Sequence, residues 1–192
     1  MFKAFVKKKA FKAKFKFNNM VVKTPKDIKK LIACLKYLNM TIDINNSKDR
    51  FKLQKVSFLL KSMGIGLNYE FSLNFYGVFS QELYKDSLEF ARGFLELKSD
   101  YHINEGERAV LERLKEALAE NNEALDVAVV IIYKNFVYED TAKVIAEIKK
   151  IKPRVSEKEI FDGINVAKRL LFKPEYFTDE IKQELELWDN VA

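Results

Sequence analysis

The sequence predicts a mainly α protein, a single-domain helical bundle with a small β element. Three observations carry that prediction. Apolar residues recur three and four apart between recognisable caps over most of residues 25–190, the spacing of amphipathic helices. One stretch, "LNYEFSLNFYGVFSQEL" from Leu67 to Leu83, changes period: Tyr69, Phe71, Leu73 and Phe75 alternate with Glu70, Ser72 and Asn74, which marks a half-buried strand. No repeat, low-complexity linker or domain boundary interrupts residues 20–190 of the 192, so residues 20–192 are expected to bury one core.

Residues 1–19 stand apart. "FKAFVKKKAFKAKFKF" (Phe2–Phe17) splits its apolar residues between two sides of a helical wheel, and from Phe11 to Phe17 it alternates strictly. It is read as a basic Lys/Phe-rich arm or an edge strand that could pair with the aromatic strand at 69–75. An upstream extension before a start at Met20 is a further reading.

The first helix is expected over about Pro25–Leu38. Thr24 caps it, Pro25 sits at the first position, Asp27 lies in the first turn, and Ile28, Leu31, Ile32, Leu35 and Leu38 form its stripe. After "NMTIDINNS" a second helix covers about Lys48–Met63. Leu53, Val56, Leu59, Leu60 and Met63 occupy one side and Phe51 and Phe58 another, which predicts a helix enclosed by partners. Gly64 and Gly66 end it. The strand at 69–75 follows, Tyr76-Gly77 breaks the run, and Ser80 is the expected cap of a helix over about Gln81–Leu97.

Asn104 and Glu107 form a capping box for a helix to about Glu120. Helices are then expected over about Glu123–Phe136, Glu139–Lys150 and, behind the box Ser156-x-x-Glu159, as far as Phe172. Pro174 breaks that one and Thr178 caps a last helix to about Trp188. Helix pair, short strand or hairpin, then helical bundle is the order of a winged-helix-like N-terminal half. An isolated strand leaves its backbone groups unpaired, so residues 69–75 need a partner. The candidates are the N-terminal strand or another chain.

Charge is more informative by position than by total. The net charge is +6, from 34 basic and 28 acidic residues. Residues 1–19 hold seven lysines and no acid, and without them 27 basic residues face 28 acidic ones. The basic character belongs to the arm. No apolar run approaches the ~18 residues of a membrane span; the longest, Val127–Tyr133, has seven. With Cys34 as the one cysteine and no signal-peptide pattern, the expected location is the cytoplasm.

Motifs for chemistry are missing. His102 and Cys34 are too far apart in sequence for a zinc site. There is no Gly-x-Ser-x-Gly. Gly64-Ile65-Gly66 follows a helix and precedes a strand, the reverse of a phosphate-binding loop. Glu112 and Glu116, interleaved with Arg108, Arg113 and Lys115, read as a solvated face. No catalytic residue, metal or cofactor is expected. Nucleic-acid contact by the body is opposed by the helix after the strand, where Glu82, Asp86, Glu89 and Glu96 outweigh Lys85 and Arg92. The helix at 48–63 carries Lys48, Arg50, Lys52, Lys55 and Lys61, but its apolar residues predict burial.

Arg50–Leu83 carries a resemblance. Lys52-Leu53-Gln54-Lys55 on a helix, the aromatic strand Tyr69–Phe75, Tyr76-Gly77-Val78-Phe79-Ser80 and a helix opening with Glu82-Leu83 resemble the YwgA-like uncharacterised prokaryotic proteins and the related Panacea, or SocA-like, antitoxin domains. "DVAVVIIYKN" (Asp126–Asn135), "VIAEIKKIKP" (Val144–Pro153) and "EIFDGINVAKRLL" (Glu159–Leu171) are similar to that family's later helices, so the likeness spans roughly residues 25–172. Val78 departs from the proline usual there, which loosens the turn. The resemblance implies a compact helical protein without catalytic machinery. Panacea-type members bind a partner toxin, some SocA-like members present a toxin to a protease, and the YwgA-like branch has no established activity.

The expectation is therefore a non-enzymatic, antitoxin-like interaction or regulatory protein that binds a partner polypeptide, a toxin being one candidate. Its corner comprises Gln54, Lys55, Tyr69, Phe71, Tyr76, Gly77, Phe79 and Ser80. Folding alone also accounts for these residues: Gln54 as a satisfied buried amide, Tyr76 packed on the second helix, Gly77 at a special backbone angle, Ser80 as a cap. The alternative is a winged-helix-like nucleic-acid-binding regulator that uses Lys7, Lys8, Lys9, Lys12, Lys14 and Lys16 of the arm. Association between copies stays open.

Overall fold

The computed structural model describes residues 26–74, 77–89, 94–96, 98–120 and 122–172. The expected arm with its lysines, the Thr24-Pro25 cap, Phe75, Tyr76 and the helix expected after Thr178 lie outside the described residues. The described chain is mainly helical with one two-stranded antiparallel sheet.

Helix α1 (Lys26–Tyr37) buries Ile28, Leu31, Ile32 and Leu35 with Cys34 among them, and Asn39 leaves the helix with φ 53°. Helix α2 (Ser47–Ser62) opens on Asn46, whose side chain accepts the Lys48 N–H. It closes in a Schellman turn: the Ile65 N–H donates to Leu60 O and the Gly64 N–H to Lys61 O, with Gly64 at φ +94°. The predicted enclosure holds only for the latter part of α2. Leu53 to Leu60 are buried apart from the half-buried Lys55, whereas Phe51 is 42% exposed and Lys48 and Lys52 face solvent.

Strand β1 (Ser72–Asn74) pairs with β2 (Gly77–Phe79): Ser72 opposes Phe79, Leu73 opposes Val78 and Asn74 opposes Gly77. This corrects the expected partner. The strand pairs with the next segment of its own chain, which sequence reading treated as a break. A strand of three residues shows no period, and Tyr76-Gly77 punctuates a hairpin as readily as a strand end. Gly77 takes φ +109°, a region that a side chain resists. The alternation of 69–74 survives beyond the short ladder: Tyr69 is buried and Phe71 and Leu73 half-buried, while Glu70, Ser72 and Asn74 are exposed.

Beyond the hairpin lie α3 (Gln81–Glu89), a 3-10 turn at Phe94–Glu96, α4 (Glu105–Glu120), α5 (Asn122–Tyr133), a 3-10 turn at Phe136–Tyr138, α6 (Thr141–Ile151) and α7 (Glu157–Leu171). Two expected helices differ from prediction. α3 is described as far as Glu89, and Phe94–Glu96, expected within the same helix, form a 3-10 turn; α5 stops at Tyr133 because Asn135 turns left-handed at φ 56°. Both capping boxes form. Glu107 N–H donates to Asn104 Oδ1 (2.9 Å) and Asn104 N–H to Glu107 Oε2 (3.2 Å); Ser156 and Glu159 do the same for α7.

The core centres on α5. Leu125 and Val127 to Ile131 are all buried, so the Val-Ile-rich run is the enclosed helix that its length predicted. α7 packs on it closely enough that a Cβ at Gly163 would lie 2.5 Å from Val127 Cγ1. α2 and β2 cover another side of α5. No helix among the described residues is long and apolar enough to cross a membrane.

Candidate interaction site

The corner is built from Gln54 outward. Gln54 sits mid-α2 at 3% exposure, with its amide on the backbone that joins β2 to α3. Its Nε2 donates to Ser80 O (3.1 Å), and its Oε1 accepts the Ser80 N–H (2.7 Å). Ser80, equally buried, turns its own hydroxyl to the α3 terminus, where Oγ accepts the Leu83 N–H (3.3 Å). One side chain thus satisfies both backbone groups of a residue where the chain passes from sheet to helix. That clamp holds the hairpin to α2.

Two clefts flank the clamp, and Phe51 is common to both. The first, about 300 Å³, is lined by Arg50, Phe51, Gln54, Asn74, Phe79 and Tyr84. Phe79 and Tyr84 stack obliquely in it with centroids 5.7 Å apart, and Arg50 Nη1 is tied to Ile44 O (2.7 Å). The second, about 250 Å³, lies between α2, β2, α5 and the end of α6. Phe51, Gly77, Val78, Val129 and Val130 give it apolar walls, and Lys55, Lys152 and Asp126 give it charge.

Lys55 makes an ion pair with Asp126. Burial, and then the ammonium groups of Lys152 and Lys52, push the Lys55 amine down to about 8; the touching Asp126 carboxylate works in the opposite direction. Burial also lowers Lys152. Lys152 is the C-cap of α6 and is half-buried, yet its ammonium makes no hydrogen bond or ion pair among the described residues.

The other predicted residues divide between this corner and the core. Gly77 and Phe79 each line one cleft. Tyr69 lines neither: its hydroxyl donates to Asp86 Oδ2 (3.0 Å), and burial followed by the Asp86 charge raises its pKa. Phe71 packs edge-on against Phe58, 5.5 Å between centroids. Cys34 is fully buried, and burial pushes its thiol up to about 12. His102 is exposed in the segment before α4.

Sequence reasoning missed Phe51 as an exposed wall, and it missed Asp126 and Lys152. Asp126 left a signal, a lone carboxylate opening the apolar run of α5. Lys152 left little, one lysine among several before Pro153. Comparison of the chain with known protein families, with curated proteins and with solved structures returns no match.

Proposed function

We propose that this chain is a non-enzymatic interaction protein of antitoxin-like type, which binds a partner polypeptide at the corner of α2 and the hairpin. The observation that supports it most is Phe51, a 42% exposed aromatic on the wall between two clefts. Exposed aromatics beside ready-made hollows serve as anchors in protein recognition, because they bury much area at little entropic cost. The Gln54 clamp fixes both clefts before any partner arrives, which reduces the cost of association. A cytoplasmic location goes with this reading.

The test is photo-crosslinking in the native host from a benzophenone amino acid at position 51, followed by measured affinity for the purified crosslinked partner. Phe51→Ala is expected to weaken that affinity at least tenfold. Equal affinity of the two forms, or crosslinks to nucleic acid alone, would reject the reading.

One observation favours a second reading. Lys48 and Lys52 are exposed on α2, next to a hairpin, in the helix-helix-hairpin order of a winged helix. Contact with nucleic-acid phosphates would then fall with salt and depend on these lysines. A salt titration of duplex DNA binding by the full chain, by a form without residues 1–19 and by the Lys48→Gln, Lys52→Gln double variant measures it.

A further inference from the structure

Lys152 has an unusual position. A half-buried ammonium is ordinarily paired, since desolvating a charge without a counter-ion is costly. Two other partly buried lysines follow that rule: Lys30 meets Glu107 at 3.1 Å, and Lys61 meets Glu70 at 3.1 Å. Lys152 instead borders an open cleft of about 250 Å³. Lys55 and Lys52 lie close enough to act on one another electrostatically, and the carboxylate of that cleft, Asp126, is already engaged by Lys55. The cleft therefore holds an excess of positive charge. Its remaining walls, Phe51, Val78, Val129 and Val130, are apolar.

We propose that this cleft takes a carboxylate from an acidic segment of the partner polypeptide, with the Lys152 ammonium as its counter-ion and an adjoining apolar side chain of the segment against Phe51. The inference rests on the interaction reading above and adds the chemistry of the partner. A glutamate or aspartate side chain offers a charged head on an apolar stem, which matches one cationic edge among aliphatic walls. A phosphodiester backbone presents regularly spaced, hydrated charges with no apolar stem, and it would sit against Asp126 at a loss. The excess charge also raises the association rate of an acidic segment and makes it salt-sensitive.

The experiment uses the full chain with 13C-labelled lysine and three probes: acetyl-Leu-Glu-Phe-Glu-Leu-amide, its counterpart with both Glu replaced by Gln, and a 12-base-pair DNA duplex. The acidic peptide is expected to shift the Lys152 and Lys55 Cε resonances saturably, and to bind at least tenfold more tightly than the Gln peptide. Lys152→Met should abolish that preference, while Lys98→Met, outside the cleft, should leave it intact. Equal binding of the two peptides, or no shift at Lys152, overturns the carboxylate site. The interaction reading survives that result if the partner crosslinked from position 51 still depends on Phe51. Tighter binding of the duplex than of the acidic peptide, with the same lysine shifts, overturns both in favour of phosphate contact.

Discussion

On the proposed reading, Lys152 serves binding at the expense of the free fold. The residue is half-buried, its ammonium has no partner among the described residues, and burial lowers its pKa. Replacement by an apolar side chain of similar length removes that desolvation cost. Lys152→Met should therefore stabilise the free protein, seen as a higher urea midpoint at unchanged slope. A lower midpoint would mean that the ammonium has a stabilising role. Gln54 illustrates what was legible at this scale. A polar amide on the apolar stripe of a predicted helix announces a buried partner. Which backbone it would meet, Ser80, was not legible, because that contact crosses from α2 to the start of α3.

Among the elements, the helices were legible wherever local chemistry bounds them. The boxes at Asn104 and Ser156 predicted the starts of α4 and α7, because a cap and its carboxylate are three residues apart and need nothing distant. Ends without such signals were overrun, as at α5, and the 3-10 turn at Phe94–Glu96 was read as helix. Strand β2 escaped notice because three residues carry no period. The contact between α5 and α7 depends on the missing side chain of Gly163. An added Cβ would meet Val127 Cγ1 at 2.5 Å and Ala124 O at 3.2 Å. Gly163→Ala should force the two helices apart and lower stability by about 1–3 kcal/mol, although Ala is the better helix former. Thermal unfolding of this variant checks it; unchanged or higher stability would mean that α7 is not held so close.

At the scale of the whole molecule, the second cleft assembles residues from α2, β2, α5 and the end of α6, and long-range packing of that kind leaves no local trace in a sequence. Fold class could be read from periods and caps; the meeting of Lys55, Asp126 and Lys152 could not. The assembly has a global consequence. Lys55 is drawn from an ordinary 10.5 to about 8. Between those values the unfolded chain keeps a proton that the folded chain releases, so this group's contribution to stability rises with pH from about 8 towards 10.5 and is flat below. Urea midpoints at pH 7.5 and 9.5, compared between the native chain and Lys55→Met, should show that rise in the native chain and its absence in the variant. Parallel behaviour of the two would mean that the Asp126 carboxylate offsets burial and holds the Lys55 amine near its ordinary value.

These inferences depend on the hairpin being held to α2 in the free protein, so that both clefts exist before a partner binds. Native-state hydrogen exchange at the Ser80 amide tests this most directly, because Gln54 Oε1 is its acceptor at 2.7 Å. A fixed corner predicts Ser80 protection within about 1 kcal/mol of that of the α2 core amides, and in Gln54→Leu a loss of at least tenfold in protection relative to those amides. A Ser80 amide that exchanges as fast as an exposed loop, while α2 stays protected, would contradict it.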